Sequence, residues 1–302
     1  IMSFFSGKVV IVTGSSNGIG RGTAALFAKQ GAKVTITGRN AAALEETKKQ
    51  CLQAGAKPAD ILELLGDITS ESFNEQLISA TVEKFGKLDV LVNNAGGGNF
   101  ESFGKKVEDI AVSELDKMME INVKPALRLS QLAVPHLEKT KGAIVNVSSI
   151  GAFLKIGPMS FYAASKSALD QITVELAGSL IKKGIRVNSV NPGPVLTNFV
   201  VNAGAPKEMS DKLWEDMAAN PAIPLGRIGY PDDIGKQMSF FSGKVVIITG
   251  SSNGIGRGTA VLFAKAGAKI TITGRNANSL AETKQQCQKA GAIIGDILEV
   301  NN

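Results

Sequence analysis

Histidine occurs once, tryptophan once and cysteine twice in 302 residues, and aromatic residues make up only 5% of the chain. A single histidine (His136, in the pattern VPHL) and two distant cysteines offer no ligand set for zinc, so no metal is expected. Cys51 and Cys287 are too few for a disulfide framework; free thiols fit a reducing, cytoplasmic setting. Long apolar runs are missing too. Val9–Val12 and Leu88–Val92 are strand-sized, far short of a membrane span. No charged stretch, apolar segment and small-residue cleavage site open the sequence, so secretion is not expected. Runs of like charge are also absent. The net charge of +6 is dispersed, and without basic clusters or aromatic stacking platforms no nucleic-acid partner is expected. What remains is an ordinary globular composition, 44% hydrophobic and 20% charged.

Short β-branched runs alternate with longer amphipathic stretches, the pattern of βαβ units and a doubly wound parallel sheet with helices on both faces. The strands expected are Lys8–Thr13, Lys33–Thr37, Ile61–Gly66, Asp89–Asn93, Ala143–Ser148 and Ile185–Asn191. Helices are expected over Gly20–Gln30, Ala41–Ala54, Glu71–Phe85, Ser113–Glu138 and Phe161–Lys183. Pro194–Leu225 reads as an irregular or partly helical excursion.

Thr13–Gly20, TGSSNGIG, joins the first strand to the first helix. Glycines there permit a tight turn and let a pyrophosphate approach backbone N–H groups at a helix N-terminus. Sites that prefer NAD place a carboxylate at the end of the second strand to bind the ribose 2′-OH. This chain has Gly38 and Arg39 instead. A guanidinium there can bind a 2′-phosphate, which favours NADP(H); the alternative is a surface arginine in a turn. NNAG (Asn93–Gly96) ends the fourth strand and Ser149 the fifth, at the carboxyl edge where such sheets bind ligands. Tyr162 and Lys166, four apart, share one helix face.

With Asp67 before Ile68, Asn122, a serine 13 residues before the tyrosine, YxxxK and Pro192-Gly193, residues 3–236 resemble the short-chain dehydrogenase/reductase family. The resemblance implies an NADP(H)-dependent carbonyl reductase or alcohol dehydrogenase with a Rossmann-type fold, acting as a dimer or tetramer. Its catalytic residues would be Asn122, Ser149, Tyr162 and Lys166. Tyr162 would exchange a proton with the substrate oxygen. A free tyrosine, at about 10, is poorly placed for this, so Lys166 and the oxidised nicotinamide are expected to favour the phenolate. Ser149 would hold the carbonyl, Lys166 would also bind the nicotinamide ribose, and Asn122 would extend a proton relay through water. Pro125, lacking an N–H, should bend the helix near Asn122. Cofactor contacts would come from Gly14, Ser16, Asn17, Gly18, Ile19, Gly20, Arg39, Asp67, Ile68, Asn94, Ala95, Gly96, Tyr162, Lys166, Pro192, Gly193 and Thr197.

Phe153, Leu154, Met159, Phe199, Val200, Met209, Trp214 and Met217 either line a pocket for a small apolar carbonyl or alcohol, or form the packing core of the excursion. The rival function is a non-catalytic NADP(H)-binding or interaction protein, left inactive by an altered C-terminus.

That C-terminus restarts the sequence. Residues 238–302 align without gaps to 2–66, with ten differences over the first 55 positions. The expected organisation is a family domain at 1–236 lacking its usual last strand, joined at 237–302 to a partial copy of residues 1–66. A spliced or misassembled join between tandem paralogous genes is the leading expectation for this, with an evolved regulatory extension as the alternative. The second glycine loop, Thr249–Gly256, and Arg275 come without NNAG or YxxxK, so no second cofactor site is expected. Pro231–Ser242 reads as a helix with Ile234, Met238 and Phe241 on one face, after which Lys244–Thr249 is expected to supply a substitute last strand beside Ile185–Asn191.

Overall fold

The computed structural model describes residues 5–155, 159–219, 226–236, 245–248, 251–265, 268–290, 292 and 297–301. They form two compact units, 5–235 and one made chiefly of Lys236–Asn302.

The first unit begins with β1 (Val9–Val12), α1 (Gly18–Lys29), β2 (Lys33–Gly38), α2 (Ala41–Gln53), β3 (Ile61–Leu65), α3 (Glu71–Phe85) and β4 (Val90–Asn93). It continues through α4 (Val112–Asn122), α5 (Lys124–Thr140), β5 (Ala143–Val147), α6 (Ser160–Leu180) and β6 (Arg186–Val190). The excursion holds α7 (Phe199–Asn202) and α8 (Lys207–Ala219), and α9 (Pro231–Lys236) follows. Boundaries fall where local chemistry puts them. Asn40 and Ser70 accept backbone N–H bonds from Ala43 and Phe73 and so start α2 and α3. Gly86, at φ 79°, ends α3 in the left-handed region that a side chain disfavours.

The six strands are all parallel, in the order β3-β2-β1-β4-β5-β6. The direction of winding reverses between β1 and β4, which opens a crevice at their carboxyl ends. Val9, Ile11, Leu91 and Ile144 of the strands pack with Leu77, Leu129 and Leu137 of the helices, all fully or almost fully buried. Each such side chain contributes about 1.5–3 kcal/mol. At the opposite end of the crossing, Asp89 ties β1 to β4: its carboxylate accepts from the Val9 N–H at 2.9 Å. It also pairs with Lys8 at 2.8 Å and Lys87 at 2.9 Å, with only 4% of its side chain exposed.

The single helical region expected over Ser113–Glu138 is two helices. Val123, between α4 and α5, keeps a helical ψ of −57° but its φ of −119° departs from regular helix. Pro125 has no N–H to bond back one turn, so the bend expected there becomes a break, directly after Asn122.

The second unit comprises β7 (Val245–Ile248), α10 (Gly254–Lys265), β8 (Lys269–Gly274), α11 (Ala277–Lys289) and β9 (Ile297–Asn301). Its strands form their own parallel sheet, in the order β7-β8-β9. Val245 pairs with Lys269 and Ile270 with Ile297, as Val9 pairs with Lys33 and Val34 with Ile61. A separate core of Ile248, Ala260, Ala264, Ile270, Ile272, Leu280 and Cys287 supports it. Among the described residues Val245–Ile248 pair with β8 and not with β6, so the expectation of a substitute last strand beside Ile185–Asn191 is not met. β8 follows β7 after one helix, so its loop costs little to close, and α10 buries the apolar face the pair creates. Of the helix expected over Pro231–Ser242, α9 accounts for Pro231–Lys236; Met238 and Phe241 lie outside the described residues.

Candidate active site

The crevice between β1 and β4 is built by mutual bonding of two loops. Thr13 Oγ1 accepts from the N–H groups of Asn94 and Ala95, each at 2.9 Å. Asn94 Nδ2 donates in return to the carbonyl oxygens of Thr13 (2.8 Å) and Gly14 (3.2 Å). This interlock leaves no room for side chains. A Cβ on Gly14, which also has φ +63°, would lie 2.8 Å from the Ala95 Cα, and one on Gly20 would collide with the Gly14 carbonyl. The N-cap of α1, Asn17, makes no side-chain cap, and the first turn carries no acidic residue. Its N–H groups are thus offered to an anion, and the cradle fits the pyrophosphate of a dinucleotide.

Arg39 lies beyond this loop, well exposed, with its guanidinium 3.9 Å from the Asp67 carboxylate. Asp67 is held below the usual carboxylate range by the Thr69 N–H it accepts, against burial, with help from the Thr69 hydroxyl and Arg39. A residue the sequence did not single out, Arg21, braces the loop. It donates to Thr47 Oγ1 at 3.0 Å, to the Ala43 carbonyl at 3.1 Å and to the Ser16 carbonyl.

Ser149, Tyr162 and Lys166 converge at the other end. Ser149 follows β5 and is buried, and its Oγ accepts from the Gly151 N–H at 3.1 Å. Tyr162 lies in the first turn of α6, with Lys166 one turn later. Burial pushes the Tyr162 phenol up, opposed by a hydrogen bond with the Ser149 side chain. Among the chain's own groups burial therefore outweighs the Ser149 bond at this phenol, whereas the expected lowering involved the oxidised nicotinamide as well. Lys166 Nζ lies 5.7 Å from the centre of the Tyr162 ring and donates to the Val147 carbonyl at 2.9 Å. Burial lowers its ammonium to about 8, against the pull of Asp170.

Asn122 stands behind this group, fully buried. Its Oδ1 accepts from the Gly97 N–H at 2.9 Å, and its Nδ2 donates to the Gly97 carbonyl at 3.0 Å and to Ser165 Oγ at 3.1 Å. His136 lies partly buried within α5, away from the cleft, where burial and Lys139 hold it below the usual histidine range.

A cleft of about 980 Å³ connects the two ends and is lined by every residue expected to contact a cofactor. Ser149, Tyr162 and Lys166 line it as well; Asn122 does not. Of the apolar candidates, Met159, Phe199, Val200, Trp214 and Met217 line the cleft. Phe153, Leu154 and Met209 are exposed and do not. Phe103, Ile121 and Leu213 line it without having been anticipated. Phe199 packs edge-on against Tyr162, the ring centres 5.4 Å apart. Among the described residues no helix is long and apolar enough to cross a membrane.

Comparison with known proteins agrees with this geometry. The family model described as short chain dehydrogenase matches residues 8–208 and 244–299. A Caenorhabditis elegans short-chain dehydrogenase/reductase of unknown function, solved with cofactor, is 43% identical, with a TM-score of 0.74 over 78% of this chain and 88% of that one. A 7α-hydroxysteroid dehydrogenase solved with NADH and 7-oxo glycochenodeoxycholic acid is 33% identical, with a TM-score of 0.66 over 78% and 86%. The L-fucose dehydrogenase of Rattus norvegicus is 33% identical over 91% of this chain and 94% of its own length. Matched over most of its length by the family model, and built around that family's crevice, the chain belongs to the short-chain dehydrogenase family of oxidoreductases.

Proposed function

We propose that the chain interconverts a carbonyl and an alcohol on a small, largely apolar substrate, using NADP(H) and Tyr162 as acid and base. The observation that carries this reading is the convergence of Ser149 and Lys166 on Tyr162 at one end of the cleft that begins at the glycine loop. The Gly14–Gly20 loop, Arg39 and Lys166 would hold NADP(H), which would supply or accept the hydride.

The remaining steps belong to the chain. The Ser149 hydroxyl donates a hydrogen bond to the substrate oxygen and fixes its direction. The Tyr162 hydroxyl gives that oxygen its proton during reduction and takes it back during oxidation. Burial favours the neutral phenol, the form that reduction requires. Lys166 supplies positive charge beside the ring and stabilises the phenolate left behind. Asn122 holds the Gly97 peptide and so shapes the wall next to Lys166. Met159, Phe199, Val200 and Met217 exclude water from the reacting end and favour apolar substrates. Arg39 supports NADP(H) over NAD(H), because no carboxylate stands at its position to receive a 2′-OH.

Fluorescence titration with NADPH followed by a panel of ketones, aldehydes and secondary alcohols tests this. Tight NADPH binding with turnover of an apolar carbonyl is the expected result. Binding without any turnover would instead make the protein a nucleotide-binding module.

A further inference from the structure

Behind the Ser149–Tyr162–Lys166 group lies a carboxylate that the catalytic reading leaves without a task. Asp170 sits one turn beyond Lys166 on α6 and is partly buried. Its Oδ2 accepts from Asn191 Nδ2 at 2.6 Å, and the same amide nitrogen donates to the Ser149 carbonyl at 3.1 Å. Ser189 Oγ donates to Asn191 Oδ1 at 3.1 Å, which fixes the amide's orientation. Asp170 Oδ1 is buried with no hydrogen-bond partner among the described residues. A carboxylate so placed is costly unless a positive charge compensates for its lost water. Lys166, four residues earlier on the same helix, carries a buried ammonium that needs the same compensation, and Asp170 acts on it against burial.

We propose that Asp170 is a positioning residue of the active site: its carboxylate holds Asn191 against the Ser149 carbonyl and gives the buried Lys166 ammonium its counter-charge. One side chain then serves two catalytic groups. The end of β5 that carries Ser149 is tied through Asn191 to the helix that carries Tyr162 and Lys166. Lys166 also stays charged to higher pH than burial alone would allow. Among the described residues, Tyr162 is a further ionisable group beside Lys166, its ring centre 5.7 Å from Nζ. On the elements packed against α6, Asp116, Lys117 and Glu120 of α4 and Arg186 of β6 are exposed. Glu114 is paired with Lys117 at 2.6 Å and Glu120 with Lys124 at 2.6 Å.

The proposal rests on the catalytic reading of Ser149, Tyr162 and Lys166, but its first test needs no turnover. In the cofactor-free full-length protein labelled at lysine ¹³Cε, the Lys166 resonance can be assigned by its loss in Lys166→Arg and followed with pH. The wild-type midpoint should lie near 8. Asp170→Asn should lower it by roughly half a unit to one unit, and Asp170→Glu should restore it. An unmoved midpoint in Asp170→Asn overturns the proposal, even if no substrate is ever found. Asn191→Ala tests the tether separately and stands if Asp170→Asn fails to fold. It should lower kcat about tenfold, the effect of losing one charge-assisted bond, without moving the Lys166 midpoint. Unchanged kcat in Asn191→Ala also overturns it.

Discussion

Asn122 grips the Gly97 peptide at both ends, accepting its N–H at 2.9 Å and donating to its carbonyl at 3.0 Å. The two positions are 25 apart, and Asn122 is the last residue of α4, directly before the break at Val123. The neighbouring Gly96 is what keeps this grip possible. A Cβ there would lie 2.7 Å from Asn122 Oδ1 and 3.2 Å from Lys166 Nζ. Gly96→Ala should therefore displace both polar groups, lowering kcat at least about tenfold while the protein stays folded, as steady-state kinetics and circular dichroism would register.

Tyr162→Phe removes one hydroxyl and leaves the ring's contact with Phe199 intact. NADPH affinity should be retained and turnover should fall by about 10²–10⁴-fold, the usual contribution of a positioned acid or base. Activity above about a tenth of wild type would mean that another group moves the proton.

Arg39 is well exposed, with its guanidinium 3.9 Å from the Asp67 carboxylate. Arg39→Asp should place two carboxylates at that end of the cleft, repel a 2′-phosphate and shift preference towards NAD(H). Comparison of kcat/KM for the two cofactors measures this, and an unchanged ratio would reduce Arg39 to a surface residue.

Asp89 provides a test by pH. Burial opposes its ionisation, but Lys8, the Val9 N–H and Lys87 outweigh it and hold the carboxyl below the usual range. A group whose folded pKa is depressed stabilises fully above its unfolded value, about 4, and loses that contribution as pH falls through the folded value. Asp89→Asn should cost about 1–3 kcal/mol at pH 7, and its stability should vary less than that of wild type below about pH 4. Urea unfolding at pH 7 and pH 3 would show both effects.

The parts of the site legible in the sequence are those written locally. Thr13–Gly20 carries its turn, its missing Cβ atoms and its helix start within eight residues, and Tyr162 and Lys166 share a face by helical spacing alone. The Asn122–Gly97 grip and the Asp170–Asn191–Ser149 tie were not legible, because each depends on where separate strands and helices meet. The lining of the apolar end was only half legible. Phe153 and Leu154 follow a short 3₁₀ turn and face solvent, whereas Phe103 and Leu213 are brought in from elements whose packed face the sequence does not declare. For β7, a family expectation of a last strand was outweighed by a nearer partner.

That nearer partner has a thermodynamic consequence. Among the described residues, one core packs beneath the six-stranded sheet and another beneath the three-stranded sheet. A single melting temperature or denaturation midpoint is then an average over two cooperative blocks, and the smaller block, with less apolar surface to bury, should melt first. A substitution at Asp89 or Gly96 should move only the later step of a calorimetric trace, and one at Leu280 or Ile272 only the earlier step.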